Sequence, residues 1–350
     1  MQSLTHRLLA QIQRDGPINV SAYMTLCLHD PIAGYYATRP GIGEDFITAP
    51  EISQVFGELI GLWLAYEWQA LGAPKAFYLV EAGPGRATLM QDALRAAASV
   101  PGCILAARLH LIEVSPALKA IQAEKLSAYD PVFISDLSQI PTDAPVLLVA
   151  NEWLDCLPVN QFVCTGTAWH ERMIGAGPND TLAFGLSPEP VKGTFEHLGE
   201  SLAREVQPGL ATVAETLAVL FQKTPGRALM LDYGPADAPP QDSLRAYQAG
   251  QQIDPLIAPG QCDLTVDVDF QRLKHLGQSA GLRVDGPLAQ GFFLQALGAE
   301  ARLNQLARQA PGQATRLYQG VKKLVDPDQM GARFKALCLS SDGLRKPAGF

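Results

Sequence analysis

One segment reads AFYLVEAGPGRATLMQDAL over residues 76–94. Its first part, residues 77–80, is a short apolar run rich in aromatic and β-favouring side chains, typical of a strand buried on both faces of a parallel sheet. The Gly-Pro-Gly sequence of residues 83–85 predicts a tight turn, and Thr88 begins a run with apolar residues at helical spacing. Because a helix N terminus presents unpaired N–H groups, this strand, turn and helix are expected to bind an anionic ligand group.

Two ligand classes that use such a turn fit this one poorly. A P-loop that binds phosphate needs a lysine after its last glycine, but no lysine lies between Lys75 and Lys119. A dinucleotide-binding turn would place Thr88 at its third small position and requires no acid before the turn. The P-loop is excluded, and a nicotinamide oxidoreductase stays as a disfavoured alternative.

An acid and small residues follow a regular spacing in this turn. The pattern is Glu81-x-Gly83-x-Gly85-x-Ala87, and it resembles the first motif of S-adenosylmethionine-dependent methyltransferases. In that family the acid and the glycine backbone hold the methionine end of the cofactor. The alternative is an ordinary glycine turn with a solvated Glu81, because short glycine patterns recur by chance.

A second strand-like run, residues 109–112, ends in a carboxylate. This residue is Glu113, about thirty positions after Glu81. An α/β fold places an acid there to accept hydrogen bonds from ribose hydroxyls. Glu113 is therefore predicted to bind the ribose of the cofactor.

Two more strand-like runs also end in polar residues. The run at residues 132–134 precedes Asp136 and Leu137, where such methyltransferases often contact the adenine. The run at residues 145–150 leads to Asn151. Since parallel strands carry their carboxyl ends to one edge of a sheet, the four strand ends predict a single crevice.

Two acids follow the fourth run directly, Glu152 and Asp155. Methyl transfer from a sulfonium depends mainly on holding the nucleophile in line with the methyl group. Carboxylates can hold an arginine guanidinium through charge-assisted, often bidentate hydrogen bonds, so Glu152 and Asp155 are predicted to be catalytic. Leu157 and Pro158 supply nearby apolar surface and are predicted to contact the substrate. The alternatives are two solvated loop charges, or an Asp155 that caps the turn before Pro158.

The composition is that of a globular protein with a sizeable core. The chain has 350 residues, of which 47% are apolar and 18% charged. Its formal net charge of −8 argues against a nucleic-acid or anionic-membrane partner and suits a basic substrate. The six cysteines include no Cys-x-x-Cys pair, so neither a metal site nor a disulfide framework is expected. No apolar run approaches the ~18–20 residues of a membrane span.

The order of the predicted elements indicates an α/β chain with additions. Residues 1–72 are expected to form an N-terminal helical cap and lid. Residues 73–350 are expected to form the methyltransferase domain. An antiparallel meander is predicted as an insertion at about residues 159–200, and a long loop as another at about residues 235–265.

Within the lid, Asp45 is predicted to contact the substrate and Thr48 is predicted to contact the cofactor. The alternative is a cap that only covers the sheet. Helical spacing predicts helices over residues 52–71 and 266–280, and the apolar run at residues 334–339 predicts an antiparallel last strand.

Several motifs follow one another as they do in a single family. This family includes the mitochondrial complex I assembly factor that acts as a protein arginine methyltransferase, together with its bacterial relatives, and the chain resembles it from about residue 8 to residue 339. The shared motifs are GPI at 16–18, GYY at 34–36, DFITAPEISQVFGE at 45–58, EAGPGR at 81–86, NEWLDCLPV at 151–159, DYG at 232–234, APG at 258–260 and DLTVDVDF at 263–270.

The resemblance implies a fold, a cofactor and an activity. The fold is the class I methyltransferase fold, with a Rossmann-like, mostly parallel seven-stranded sheet, and the cofactor is S-adenosylmethionine. The activity is symmetric dimethylation of an arginine on a core subunit of respiratory complex I, in the cytoplasm of a bacterium or the mitochondrial matrix of a eukaryote. The expected cofactor-binding residues are Thr48, Glu81, Gly83, Pro84, Gly85, Glu113, Asp136, Leu137 and Asn151.

Three positions depart from the family pattern. Glu44 and Ala87 replace usual glycines, and Gly250 stands where relatives carry a histidine. These departures keep open a cofactor-binding assembly chaperone that does not catalyse. A small-molecule methyltransferase is a further alternative.

Overall fold

The structure is a computed structural model that describes residues 3–38, 47–192 and 203–350. Contacts between residues divide the chain into two units. We call Ile47–Leu154, Ala211–Ala236 and Phe270–Phe350 the sheet unit, and Met1–Phe46, Asp155–Leu210 and Asp237–Asp269 the antiparallel unit. The predicted domain boundary at residue 72 does not coincide with a boundary between these two units, and it stays a prediction.

Helices and strands alternate over residues 77–134 of the described chain, and runs of consecutive helices or consecutive strands lie on either side of that part. The helices are α1 (Leu4–Asp15), α2 (Val20–His29), α3 (Tyr35–Thr38), α4 (Ala49–Ile52), α5 (Gln54–Ala70), α6 (Thr88–Ala97), α7 (Cys103–Ala106), α8 (Pro116–Lys125), α9 (Gly209–Lys223), α10 (Phe270–Ser279), α11 (Gln290–Ala296), α12 (Ala299–Gln309) and α13 (Ala314–Val325). The strands are β1 (Ile18–Asn19), β2 (Phe77–Ala82), β3 (Ala107–Ile112), β4 (Val132–Ile134), β5 (Val146–Asn151), β6 (Asn160–Thr165), β7 (Ala168–Ala176), β8 (Leu182–Leu186), β9 (Ala203–Val206), β10 (Gly226–Tyr233), β11 (Arg245–Gln248), β12 (Gln251–Ile253), β13 (Asp263–Thr265), β14 (Arg283–Ala289) and β15 (Phe334–Ser340).

The sheet unit contains a seven-stranded sheet in the order β14-β15-β10-β5-β2-β3-β4. Neighbouring strands from β10 to β4 are parallel, whereas β15 runs antiparallel to both β10 and β14. All residues of β2 and β5 are buried, as their apolar sequences predicted. The mostly parallel α/β sheet and its antiparallel last strand are therefore confirmed.

The strand order reverses between β2 and β5. The chain moves from β2 outward through β3 and β4, then returns to build β5 and β10 on the other side. In open parallel sheets the carboxyl ends of strands at such a switch point border the ligand crevice. The turns that follow β2 and β5 are thus the expected walls of a site.

Close packing of α5 on α6 positions the start of α6 behind the first of these turns. Gly61 lies so near α6 that an added Cβ would be 2.1 Å from the carbonyl oxygen of Ala93. The helix predicted over residues 52–71 is interrupted at Ser53, whose extended backbone ends α4 and whose hydroxyl caps α5 through Val55 N. This polar residue explains the break.

The antiparallel unit contains two sheets. The predicted meander is confirmed, because β6, β7 and β8 pair antiparallel in sequence order. The stretch predicted as a long loop at residues 235–265 instead contains a three-stranded sheet in the order β12-β11-β13. Its hairpin turns at Ala249 and Gly250, both with positive φ (+50° and +74°), a conformation usually signalled by Asn or Asp before glycine.

One helix begins later than the sequence indicated. The helix predicted over residues 266–280 is α10, which starts at Phe270, because Val266 follows β13 and donates its N–H to the carbonyl of Asp155. The role of α1 and α2 as a cap stays a prediction. Within the described ranges, no helix combines the length and apolar character needed to cross a membrane.

Candidate functional site

Glu81 is a buried acid near the end of β2. The residue is only 3% exposed, so the alternative of a solvated Glu81 is wrong. None of the described residues hydrogen-bonds Glu81 Oε2. Burial disfavours the charged form and raises the pKa of Glu81 from its usual 4.5 to about 8. A buried acceptor at a strand end, without a partner in the part of the chain that the structure describes, suits a ligand that donates a hydrogen bond.

The turn after β2 is built by left-handed backbone conformations. Gly83 and Gly85 have φ of +65° and +51°, which glycine adopts without a steric penalty. Ala87 shares this region at φ +57° and precedes α6 directly, a conformation in which a Cβ is strained. The turn is closed by a hydrogen bond of 2.7 Å from Ala87 N to the carbonyl of Pro84.

Gly83 also contacts the turn after β5. A Cβ added to Gly83 would lie 2.7 Å from Trp153 Cδ1, closer than real side-chain contacts allow. Only a glycine lets these two turns approach so closely. The first glycine of the motif therefore has a packing role in addition to its conformational one.

Glu113 follows β3 and is oriented by its own turn. Its Oε1 accepts hydrogen bonds of 2.8 Å from both Val114 N and Ser115 N. Its Oε2 accepts one of 2.9 Å from Gln122 Nε2. No sequence motif marks Gln122, which is a glutamine inside helix α8.

The turn after β5 begins with Asn151 and Glu152. Glu152 has φ +50°, an uncommon conformation for a non-glycine residue that is concentrated at functional sites. Its Oε1 accepts hydrogen bonds of 3.0 Å from Asn151 Nδ2 and from Ala49 N. Glu152 thus links β5 to the start of α4, next to the predicted cofactor residue Thr48.

Asp232, at the end of β10, orients this second turn. It is 1% exposed, and its Oδ2 accepts hydrogen bonds from Trp153 N (3.1 Å) and Leu154 N (2.8 Å). Its Oδ1 accepts from Tyr233 N at 2.8 Å. The DYG motif at residues 232–234 contains this residue, but the motif alone does not indicate which N–H groups it accepts from.

Asp136 and Leu137 follow β4. Asp136 is exposed, and its carboxylate accepts hydrogen bonds from Ser138 Oγ, from Ser138 N (2.9 Å) and from Ser135 Oγ (3.2 Å) within its own turn. These bonds hold the pKa of Asp136 below its ordinary value. Leu137 is buried. The adenine contact assigned to this pair stays a prediction.

Asp155, Leu157 and Pro158 belong to the antiparallel unit. Asp155 is 2% exposed and accepts a hydrogen bond of 2.7 Å from Thr265 Oγ1, so its interpretation as a solvated loop charge is wrong. The carbonyl of Leu157 accepts a bond of 3.0 Å from Gln207 Nε2. Leu157 and Pro158 are both half-buried. Asp45 lies outside the described residues.

The sheet unit contains all of the predicted cofactor residues and the predicted catalytic residue Glu152. They lie at strand ends, on the turns that follow or directly before α4, and they are Thr48, Glu81, Gly83, Pro84, Gly85, Glu113, Asp136, Leu137, Asn151 and Glu152. Asn151 Oδ1, like Glu81 Oε2, is buried and has no hydrogen-bond partner among the described residues. S-adenosylmethionine carries an ammonium and ribose hydroxyls as donors, so these two acceptors fit it.

Comparison with known proteins identifies the family. Residues 59–288 match the family model described as "Putative S-adenosyl-L-methionine-dependent methyltransferase". The chain is similar to the human protein named "Protein arginine methyltransferase NDUFAF7, mitochondrial", at 37% identity over 96% of this chain and 83% of that protein. It is also similar to the Drosophila melanogaster homolog of that name, at 36% identity over 96% of this chain and 84% of the relative.

A solved structure shows the same fold. It is that of a Burkholderia thailandensis protein bound to S-adenosyl-homocysteine, with a TM-score of 0.82, 24% identity, and 99% of this chain and 93% of that chain covered. The family match extends over most of the chain, and the identity to the curated relatives is well above 30%. The chain therefore belongs to this family of S-adenosyl-L-methionine-dependent methyltransferases, enzymes that use S-adenosyl-L-methionine as cofactor.

Proposed function

We propose that the chain is a protein arginine methyltransferase. Its substrate would be an arginine on a core subunit of respiratory complex I, which it would dimethylate symmetrically during assembly. The names of the curated relatives support arginine methylation, and the family resemblance of the motifs supports the complex I substrate. The same resemblance supports the cytoplasm of a bacterium, or the mitochondrial matrix of a eukaryote, as the location.

The observation that carries this proposal is the placement of Glu152. Its carboxylate is held at the carboxyl end of β5 by Asn151 Nδ2 and Ala49 N, in a left-handed backbone conformation. A carboxylate held by several hydrogen bonds can grip a guanidinium through charge-assisted bonds and leave one nitrogen directed at the methyl group. Glu152 is the first proposed catalytic residue.

Asp155 is the second proposed catalytic residue, three positions further along the chain. It is buried, and its Oδ2 is occupied by Thr265 Oγ1. Leu157, Pro158 and Asp45 are proposed to contact the substrate.

The remaining residues would bind the cofactor, which supplies an electrophilic methyl group on its sulfonium. Glu81 and Asn151 would accept hydrogen bonds through the buried oxygens that lack a partner among the described residues. The backbone of the Gly83 turn would hold the methionine end, and Glu113 the ribose hydroxyls. Leu137 and Asp136 would contact the adenine, and Thr48 would approach the cofactor from the lid.

The test compares the wild-type protein with Glu152→Gln and Asp155→Asn. These changes remove the negative charge but keep an oxygen that can accept the bonds from Ala49 N and Thr265 Oγ1. We expect methyl transfer from labelled cofactor to partly assembled complex I subunits to fall at least ~100-fold, with the affinity for S-adenosylhomocysteine nearly unchanged. Glu124→Gln, an exposed change on α8, is the control.

The other outcomes identify the alternatives. Cofactor binding without transfer by the wild-type protein would support the assembly chaperone. Transfer to small molecules alone would support a small-molecule methyltransferase. A variant that loses cofactor affinity would contradict the catalytic role of that residue.

A further inference from the structure

Gln122 makes two hydrogen bonds that join two parts of the proposed cofactor site. It lies in the last turns of α8 and is 0% exposed. Its Nε2 donates to the carbonyl of Gly85 at 2.7 Å and to Glu113 Oε2 at 2.9 Å. A single amide nitrogen therefore contacts both the turn after β2 and the acid after β3.

The chemistry of the two acceptors fixes the orientation of this amide. A backbone carbonyl and a carboxylate can only accept, so the nitrogen of Gln122 must face them. The amide oxygen then faces away, and among the described residues Gln122 Oε1 has no hydrogen-bond partner. Leaving a buried acceptor unpaired is costly.

These bonds restrict the groups that would face the cofactor. Glu113 Oε1 is already held by Val114 N and Ser115 N, so the bond from Gln122 immobilises the second oxygen as well. In the turn after β2, a trans peptide directs its N–H opposite to its carbonyl. By holding the carbonyl of Gly85, Gln122 therefore also sets the direction of Arg86 N.

We infer that Gln122 is a positioning residue for S-adenosylmethionine. It sets the distance between the glycine turn, which would hold the methionine end, and the carboxylate that would hold the ribose. This inference rests on the proposed placement of the cofactor at Gly83–Gly85 and Glu113. Gln122 acts through these groups and need not touch the cofactor.

The test replaces Gln122 with methionine, which has a similar shape but no donor. Without the amide, Glu113 Oε2 and the carbonyl of Gly85 each lose a partner. We expect the dissociation constant of S-adenosylhomocysteine, measured by calorimetry, to rise at least ~tenfold. Gln122→Glu, which keeps the shape but places a carboxylate against Glu113, is expected to weaken binding further.

Gln290 provides a matched control elsewhere in the sheet unit. It is also 0% exposed, donates its Nε2 to one backbone carbonyl (Leu324, 3.0 Å), and its Oε1 has no partner within the described chain. It begins α11, apart from the strand-end turns. Gln290→Met is expected to lower the urea midpoint as Gln122→Met does, but to change the dissociation constant less than ~twofold.

A double-mutant cycle with Glu113→Ala completes the test. Because Gln122 acts partly through Glu113 and partly through the Gly85 carbonyl, the double variant should bind at least ~threefold more tightly than the product of the two single effects predicts. The inference is overturned if Gln122→Met binds like Gln290→Met while Glu113→Ala binds weakly. If Glu113→Ala itself binds normally, the proposed cofactor placement is wrong and the inference falls with it. If Gln122→Met does not fold, Gln122→Glu is used instead to test whether loss of the Gln122 amide weakens the binding of S-adenosylhomocysteine.

Discussion

The turn after β2 and the turn after β5 leave neighbouring strands at one edge of the same sheet, yet different interactions hold them. The first is shaped by its own backbone, with Gly83 and Gly85 in left-handed conformations. The second is shaped by side chains from elsewhere. Asp232 on β10 holds Trp153 N and Leu154 N, and Glu152 is bonded to the start of α4.

Because of this difference, the two halves of the site depend on different groups. The first turn presents a buried acid, Glu81, with an oxygen that no described residue satisfies. In the second turn the acid Glu152 is held by hydrogen bonds. The two turns meet where Gly83 packs on Trp153. Both strand ends thus keep a buried acceptor for a ligand, Glu81 Oε2 and Asn151 Oδ1, and the second turn also fixes the Glu152 carboxylate in place.

The largest expected effect concerns Glu81 in the cofactor-free protein. Its pKa is raised from 4.5 to about 8 by burial, so its contribution to the free energy of unfolding is complete below about pH 4.5. That contribution is lost as the pH rises to about 8, and the loss amounts to roughly 4 kcal/mol. Glu81→Gln cannot ionise and should lack this decline. Urea unfolding at intervals from about pH 5 to pH 9 measures it. Parallel pH profiles for the two proteins would contradict the assignment.

The second effect tests the side-chain support of the turn after β5. Asp232→Ala leaves the N–H groups of Trp153, Leu154 and Tyr233 without their acceptor. We expect the free energy of unfolding to fall by about 3 kcal/mol. Asp232→Asn keeps one oxygen acceptor and should lose less than Asp232→Ala. Equal losses in urea unfolding would show that the carboxylate is not the support.

The third effect tests the contact between the two turns. Gly83→Ala places a Cβ 2.7 Å from Trp153 Cδ1 at a φ of +65°. Steric overlap and left-handed strain together should cost about 2 kcal/mol of stability. Adding Trp153→Ala should restore only the steric part, which thermal unfolding of the single and double variants can separate. If the stability losses of the two single variants simply add in the double variant, the steric contact between the turns is contradicted.

The smallest effect concerns Ala87. Ala87→Gly relieves left-handed strain at φ +57° but removes a methyl group that is completely buried. The two terms are each about 1 kcal/mol and oppose each other, so stability should change by less than ~1 kcal/mol. Ala93→Gly, inside α6 and equally buried, has no strain to relieve and should cost about 2 kcal/mol. Similar costs for both would contradict the strain at Ala87.

Local patterns explain which parts of the molecule the sequence predicted well. The segment around Glu81, Gly83 and Gly85 determines its own strand, turn and helix, so reading it in isolation was sufficient. The last strand, predicted at residues 334–339, is β15, all of whose residues are buried. The antiparallel meander was likewise visible in its alternating short runs.

Local sequence patterns do not predict interactions between residues that are far apart in the chain. Asp232 holds Trp153 from 79 positions away, and Gln122 reaches Gly85 from 37 positions away. Neither residue type signals its partner. The sheet at residues 235–265 was missed because β11 and β12 are short, polar strands joined by an Ala-Gly turn. Strands of this kind form when tertiary packing selects them.

A crystal structure of the protein with S-adenosylhomocysteine tests the central claim most directly. The claim is that the turns after β2 and β5 border the cofactor site. We predict that the ligand lies against Gly83–Gly85, with its ribose hydroxyls on Glu113 and donors on Glu81 Oε2 or Asn151 Oδ1. A ligand bound away from this edge of the sheet, with both of those buried oxygens still unpaired, would contradict the account.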